Sequence, residues 1–324
     1  MAHEKQWIRP LGRSGPPVSA VGLGLAALGR PGYLNLDHGA DLGPDRSPGS
    51  LERHTHAMLD GAYESGVRYF DAARSYGKAE QFLGSWLSSR GLGRDELTIG
   101  SKWGYTYTAD WQVDADPPEV KDLSADALRR QLEETRSLLE PWLSLYQIHS
   151  ATLDSGVLED EAVRAELADL RATGIAVGFT VTGPEQPATI ERALEVGGFD
   201  SVQATYNLLE RAAAPALRRS HEAGLGVIIK EALANGRLGP RAAPGPLSEA
   251  SRRAGASADA VALAAVLAEP WVDVVLSGAA TQEQLSSNLG AFELSLDPRT
   301  EEALLALAQP SDRYWQERSA LPWN

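Results

Sequence analysis

The chain has 324 residues, 43% of them hydrophobic, a formal net charge of −14 and no cysteine. A chain of that size buries a core without staples, and the missing cysteines exclude disulfides, thiolate metal ligands and a cysteine nucleophile. An acidic surface repels a phosphate backbone, so nucleic acid is not expected as a partner. No apolar run reaches the length of a membrane span, and the first ten residues lack an apolar core of signal-peptide length. The expectation is therefore a soluble, cytoplasmic protein with no membrane contact; nothing in the sequence sets an oligomeric state.

In chain order, residues 6–19 read as a small hairpin turning at Gly12–Gly15. Eight β-branched runs follow, at 21–25, 67–71, 97–102, 143–149, 176–180, 201–204, 226–229 and 272–276. Amphipathic segments alternate with them at 51–65, 79–89, 124–140, 160–173, 185–196, 212–223, 257–268 and 281–291. Ser124 and Thr281 stand where N-caps belong, and glycines close helices after Ser65, Thr173 and Ala223. A helix at 297–308 and a tail ending in Trp323 complete the chain. Strict β/α alternation implies a parallel sheet with helical crossovers, and eight units favour closure. The expected fold class is α/β, a (β/α)8 TIM barrel with an N-terminal β-hairpin and a C-terminal helix and tail. With no linker-like stretch, residues 1–324 form a single domain. Long insertions at 29–50, 103–123 and 235–256 each follow a strand. They belong on the C-terminal face, where barrel active sites are built.

Three polar residues end three successive strands: Asp71 in VRYFDAA, Lys102 in LTIGSK and His149 in LYQIHS. On the fourth strand His149 shares a face with Leu145 and Gln147, opposite Tyr146 and Ile148. If the latter two face the helices, His149 looks into the barrel mouth, and on strands about 4.8 Å apart the three converge. Singly, each has a plain reading: a structural histidine, a turn aspartate, a solvated lysine. Together they are harder to dismiss. The six histidines offer no helical i, i+4 pair with a general-base glutamate, since His54 and His56 are two apart, so no metal site is expected.

The stretch FDAARSYGKAE at 70–80 resembles the signature of the aldo-keto reductase superfamily, and the similarity runs from GLGLAALG at 22–29 to LSGAATQEQLSSNLG at 276–290. The resemblance implies a catalytic group of Asp71, Tyr76, Lys102 and His149. Tyr76 would be the acid/base and Lys102 would lower its pKa from the usual value near 10. Asp71 would hold Lys102, and His149 would donate a hydrogen bond to the carbonyl oxygen. It also implies NADP(H), with NAD(H) possible, bound without a GxGxxG finger. Gln203 would hold the nicotinamide amide with Thr180 nearby. The pyrophosphate would lie along 230–238, through Lys230, Leu233, Asn235, Gly236 and Leu238. The adenine end would rest on Gly278, Gln284 and Asn288.

Two departures stand out. Thr180–Val181 replaces the family's usual Ser-Asn after strand five, and no cation lies between Trp271 and Arg299, with Ala280 and Gln284 where a partner for a 2′-phosphate belongs. Arg237 or Arg241 are the cations that would have to reach over. Both cofactors should then bind, with little preference for NADPH. Trp103, Tyr105, Tyr107 and Trp111 cluster after strand three, and Trp103, Tyr107 and Trp111 are taken as substrate-binding, suited to a planar or apolar body. The equal alternative is that they pack the loop. The expected function is reduction of an aldehyde or ketone, a small-molecule carbonyl or alcohol being the partner. The alternatives are an NAD-dependent aldose or alcohol dehydrogenase, or a cofactor-binding regulatory subunit.

Overall fold

Alternating apolar and polar runs resolve, in the computed structural model, into a closed ring of eight parallel strands; residues 7–32, 41–113 and 115–321 are described. A two-stranded hairpin, β1 (Ile8–Pro10) and β2 (Pro17–Ser19), precedes the barrel. The barrel opens with β3 (Val21–Gly24), α1 (Pro48–Glu64), β4 (Tyr69–Asp71), α2 (Ala79–Arg90) and β5 (Thr98–Trp103). A second hairpin follows, β6 (Tyr105–Tyr107) and β7 (Glu119–Lys121), then α3 (Ala125–Leu139), β8 (Leu143–Ala151), α4 (Glu161–Ala172), β9 (Ala176–Val181), α5 (Gln186–Val196), β10 (Ser201–Thr205), α6 (Ala214–Ala223) and β11 (Gly226–Lys230). The last elements are α7 (Gly245–Ala254), α8 (Ala258–Leu267), β12 (Val274–Ser277), α9 (Gln282–Leu289), α10 (Pro298–Leu305) and α11 (Ser311–Ser319). Around the ring the order is β10-β11-β12-β3-β4-β5-β8-β9. In an eight-membered ring this sets β11 opposite β5 and β12 opposite β8.

The expected strands are all present, and the expected caps form. Ser124 Oγ accepts from Ala127 N at 3.2 Å and Thr281 Oγ1 from Gln284 N at 3.2 Å. Three departures concern the insertions. Residues 103–123 are not plain loop but carry the β6–β7 hairpin, 235–256 contain α7, and the tail forms α11. Glycine and proline masked α7, which starts on its own Gly245-Pro246. Trp323 lies outside the described residues, as do residue 6, 33–40 and both ends of the 1–324 domain. Among the described residues no helix is long and apolar enough to cross a membrane.

The packing is layered. Inside the barrel, Tyr69, Leu145, Ile228 and Val274 form a small apolar cluster with Leu11 and Val18, which the N-terminal hairpin inserts as a plug from below. Between strands and helices lies the large core, which takes Phe70, Trp86, Trp103, Tyr146, Ile148 and Phe179. A satellite cluster with Leu238, Leu247, Leu304, Tyr314 and Trp315 seats α7, α10 and α11 against the rest. The alternation along β8 is as the sequence reading requires: Tyr146 and Ile148 face the helices and Gln147 the interior.

Candidate active site

The C-terminal ends of β4, β5 and β8 are adjacent in the ring, in the register Asp71↔Gly100 and Lys102↔Gln147. Asp71, Lys102 and His149 therefore meet at one mouth. Lys102 Nζ is ion-paired with Asp71 Oδ2, donates to Ala72 O at 2.9 Å and lies 3.5 Å from Tyr76 Oη. The other Asp71 oxygen accepts from Tyr69 Oη at 2.9 Å, Gln203 Nε2 at 3.2 Å and Gln147 Nε2 at 3.4 Å. Tyr76 sits on the turn after β4, its ring edge-on to His149 with centroids 5.6 Å apart. Ser75 Oγ is 3.5 Å from His149 Nδ1. Gly29 shapes this turn, because a Cβ there would come within 2.1 Å of Tyr76 O. Of the glycines in 22–29, Gly29 thus serves close packing under Tyr76, while Gly22 makes room for Tyr69.

Electrostatics depart from expectation at one point. The Tyr76 phenol is pushed well above its usual range, first by burial and then by the charge of Asp71. Lys102 was expected to lower it, but its charge is already answered by Asp71 in the ion pair. Burial, followed by the charges of Lys102, Lys230, Arg30 and Lys121, drives His149 well below the ordinary histidine value and keeps it neutral. At neutral pH the mouth holds a protonated phenol beside a neutral imidazole.

The aromatic residues separate by strand alternation. Trp103 follows Lys102 on β5, so it turns to the helix side, where it is fully buried in the core with Nε1 unpartnered. It does not line the mouth. Trp111 packs edge-on to Phe82 and donates Nε1 to Arg46 O at 2.7 Å, tying its loop down. Tyr107 Oη accepts from Trp111 N at 3.2 Å, and the Arg30 guanidinium lies 5.9 Å from its ring. Tyr105, grouped with these but not singled out, comes to 5.0 Å from His149. Alternation on a hairpin carries the signal: Tyr105 and Tyr107 share one face with their cross-strand partners Lys121 and Glu119.

The residues expected to hold a dinucleotide line the β9–β12 side. Thr180 Oγ1 accepts from Ser150 N at 2.7 Å, fixing the strand end beside His149. Gln203, next to Thr180 in register, points its amide at Asp71. Lys230 Nζ donates to Thr205 Oγ1 at 2.9 Å and lies 3.9 Å from Glu231; burial lowers its pKa to about 8. Ala234, Asn235 and Gly236 all have positive φ, giving the loop after β11 a tight, concave backbone. Leu238 is fully buried in the satellite cluster and Leu233 packs on it. Gly278 is exposed with open space around it at the start of the last loop. Asn288, almost fully buried, is held by Ser277 at 2.8 Å.

Two features were not legible in the sequence. Asp41 accepts from Arg241 at 3.1 Å and from Gln284 Nε2 at 2.7 Å, strapping the loop after β3 to the loop after β11 and to α9. From α11, Arg318 grips Glu231, Arg237 reaches Glu317 at 3.3 Å, and Tyr314 Oη accepts from Asn207 Nδ2 at 3.0 Å.

A closed eight-stranded barrel with a lysine–aspartate pair, a tyrosine and a histidine gathered at its C-terminal mouth defines a (β/α)8 enzyme architecture. The model of the Aldo/keto reductase family matches residues 45–307, and the chain belongs to that family. It is 27% identical to the oxidoreductase YrpG of Bacillus subtilis, over 89% of this chain and 91% of that one. It is 26% identical to pyridoxal 4-dehydrogenase of Microbacterium luteolum, over 89% and 93% respectively. Among solved structures, an aldo-keto reductase of Pseudomonas aeruginosa superposes with TM-score 0.66 at 28% identity, covering 90% of this chain and 95% of its own. The holo form of aldo-keto reductase AKR11C1 from Bacillus halodurans shares the fold, with TM-score 0.72 at 23% identity over 94% and 97%. Family and relatives make this chain an oxidoreductase with a small-molecule substrate.

Proposed function

We propose that the protein reduces an aldehyde or ketone to the alcohol with a nicotinamide cofactor, Tyr76 supplying the proton. The observation that carries this reading is the triad of contacts at one mouth: Lys102 paired to Asp71, 3.5 Å from Tyr76 Oη, with neutral His149 edge-on beside it. The donor set opposite fits a dinucleotide. It offers the amides of Gln203, Gln284 and Asn288, the cations Lys230 and Arg237, a concave backbone at 234–236 and open space at Gly278. The cofactor, when bound, supplies the hydride equivalent. The chain's own residues do the rest. Neutral His149 donates a hydrogen bond that orients the carbonyl oxygen. Tyr76, held protonated by burial, gives its proton to that oxygen as negative charge grows there. Lys102 stabilises the phenolate left behind, and Asp71, gripped by Tyr69, Gln147 and Gln203, holds Lys102 in place. In alcohol oxidation the same atoms work in reverse.

Cofactor choice turns on Asp41. Ala280 is buried, with its carbonyl 2.7 Å from His54 Nε2, so a cation has no room there. Arg241, the cation within reach of the last loop, is engaged by the Asp41 carboxylate. A 2′-phosphate would have to displace that carboxylate, whereas a ribose diol can bond to it. This favours NAD(H) at least as much as NADP(H), the reading under which an NAD-dependent alcohol or aldose dehydrogenase stays in view. Titrating NADH and NADPH by quenching of tryptophan fluorescence tests it. Asp41→Ala should tighten NADPH by about tenfold, the worth of one charged phosphate contact, and leave NADH level or weaker. A wild-type preference for NADPH of about a thousandfold would rule the reading out.

A further inference from the structure

The charges that bear on His149 are nearly all answered within the protein. Lys102 is paired with Asp71, Arg30 with Glu119 at 3.1 Å, and Lys230 and Arg318 share Glu231. Lys121 differs. Its ammonium donates to Ser150 O at 2.7 Å and rests 5.6 Å from the Tyr105 ring centroid, and among the described residues no carboxylate lies within 4.0 Å of it. Glu119, on the same face of β7, is already committed to Arg30. Tyr105 in turn stands 5.0 Å from His149. Lys121, Tyr105 and His149 thus form a row from the rim to the reacting centre.

We propose that Lys121 anchors a carboxylate on the carbonyl substrate, making this a reductase of aldehydes or ketones that bear an acid group several bonds from the carbonyl. This rests on the function proposed above and adds the substrate class. Three observations carry it. The ammonium stands at an exposed rim position with no carboxylate within 4.0 Å among the described residues, so its charge is open to a bound anion. The hairpin hangs from β5, across the ring from β11, so this cation serves the side of the mouth away from the loop expected to hold the dinucleotide. The whole chain carries −14, so an anionic substrate is repelled in general and needs a local cation to be held. Tyr105 between the two supplies an apolar wall for the body of the molecule.

The test is kcat/KM for 4-carboxybenzaldehyde against its methyl ester, which removes the charge and keeps the ring and the aldehyde. Wild type should prefer the acid by about tenfold or more at low ionic strength, chiefly through KM, and the preference should shrink as salt is added. Lys121→Gln should bring the ratio close to one, and Lys121→Arg should keep most of it. Arg94→Gln removes a charge at the opposite end of the barrel and should leave the ratio alone. An acid-to-ester ratio that survives Lys121→Gln, or that falls equally in Arg94→Gln, overturns the assignment. If wild type turns over neither compound with either cofactor, the reductase reading fails, and this inference with it.

Discussion

Tyr76 and Lys102 stand 3.5 Å apart, yet the phenol is less acidic than free tyrosine because it is buried and lies beside the charge of Asp71. For reduction this is the useful state, since the proton to be given is in place. With Tyr76 raised and His149 lowered, neither group titrates near neutrality. The pH profile of kcat/KM for reduction should be flat from about pH 6 to 8, while alcohol oxidation, which needs the phenolate, should climb toward alkaline pH. A histidine-like break near 6.5 in the reduction profile would contradict this. Lys102→Met should abolish most turnover and also destabilise the fold by about 3 kcal/mol, because it leaves Asp71 buried and unpaired; thermal melts read the second effect. Gly29→Ala should slow turnover through its clash with Tyr76 O while touching no substrate. Of the four residues proposed as catalytic, Asp71, Lys102 and His149 were legible near strand ends, where position follows from alternation, and Tyr76 came with the family resemblance. Tyr105 and Ser75 were not legible, since their approach to His149 depends on which neighbour a hairpin or turn brings close. Trp103 was misread for want of the same alternation argument, applied one residue past Lys102.

At the scale of elements, the strands and their helices followed from hydrophobic period, but the insertions did not. The β6–β7 hairpin has strands of three residues each, too short to show a period, and α7 opens with Gly-Pro. Helix α11 is strongly polar, and its place is set by tertiary pairs that no local pattern announces: Arg318 with Glu231 and Tyr314 with Asn207. Those pairs make α11 a clasp on the loop after β11. Neighbouring cations draw the Glu231 carboxyl down to about 2 against the opposition of burial. Its contribution to stability is therefore present above its unfolded value and lost as pH falls toward 2. Arg318→Ala should cost about 3 kcal/mol at neutral pH, and the cost should shrink in acid; a pH-independent loss would deny the ion pair its role. Lys230 has the opposite sign. Its folded value of about 8 lies below the unfolded one, so the charged form weakens the fold at neutral pH, and that penalty fades as pH rises through 8. If Lys230 meets an anionic cofactor, affinity should fall over the same interval.

For the molecule as a whole, the ring order explains the division of labour. β4, β5 and β8 lead into the groups proposed for acid–base work and the hairpin, and β11 and β12, across the axis, lead into the cations and open backbone proposed for the dinucleotide. On the proposed function, a substrate entering between them meets His149 and Tyr76 from one side and the cofactor from the other. The two halves meet at straps such as Asp41 with Arg241 and Gln284, which join segments 200 and 243 positions apart and lie beyond any sequence window. The central claim is that Tyr76 is the proton donor of a nicotinamide-dependent reduction. It is tested most directly by Tyr76→Phe, with turnover of an aromatic aldehyde measured alongside the dissociation constants of NADH and NADPH. The account predicts a loss of about a hundredfold or more in kcat with cofactor affinity unchanged. A variant that turns over at close to the wild-type rate would show that the proton comes from elsewhere.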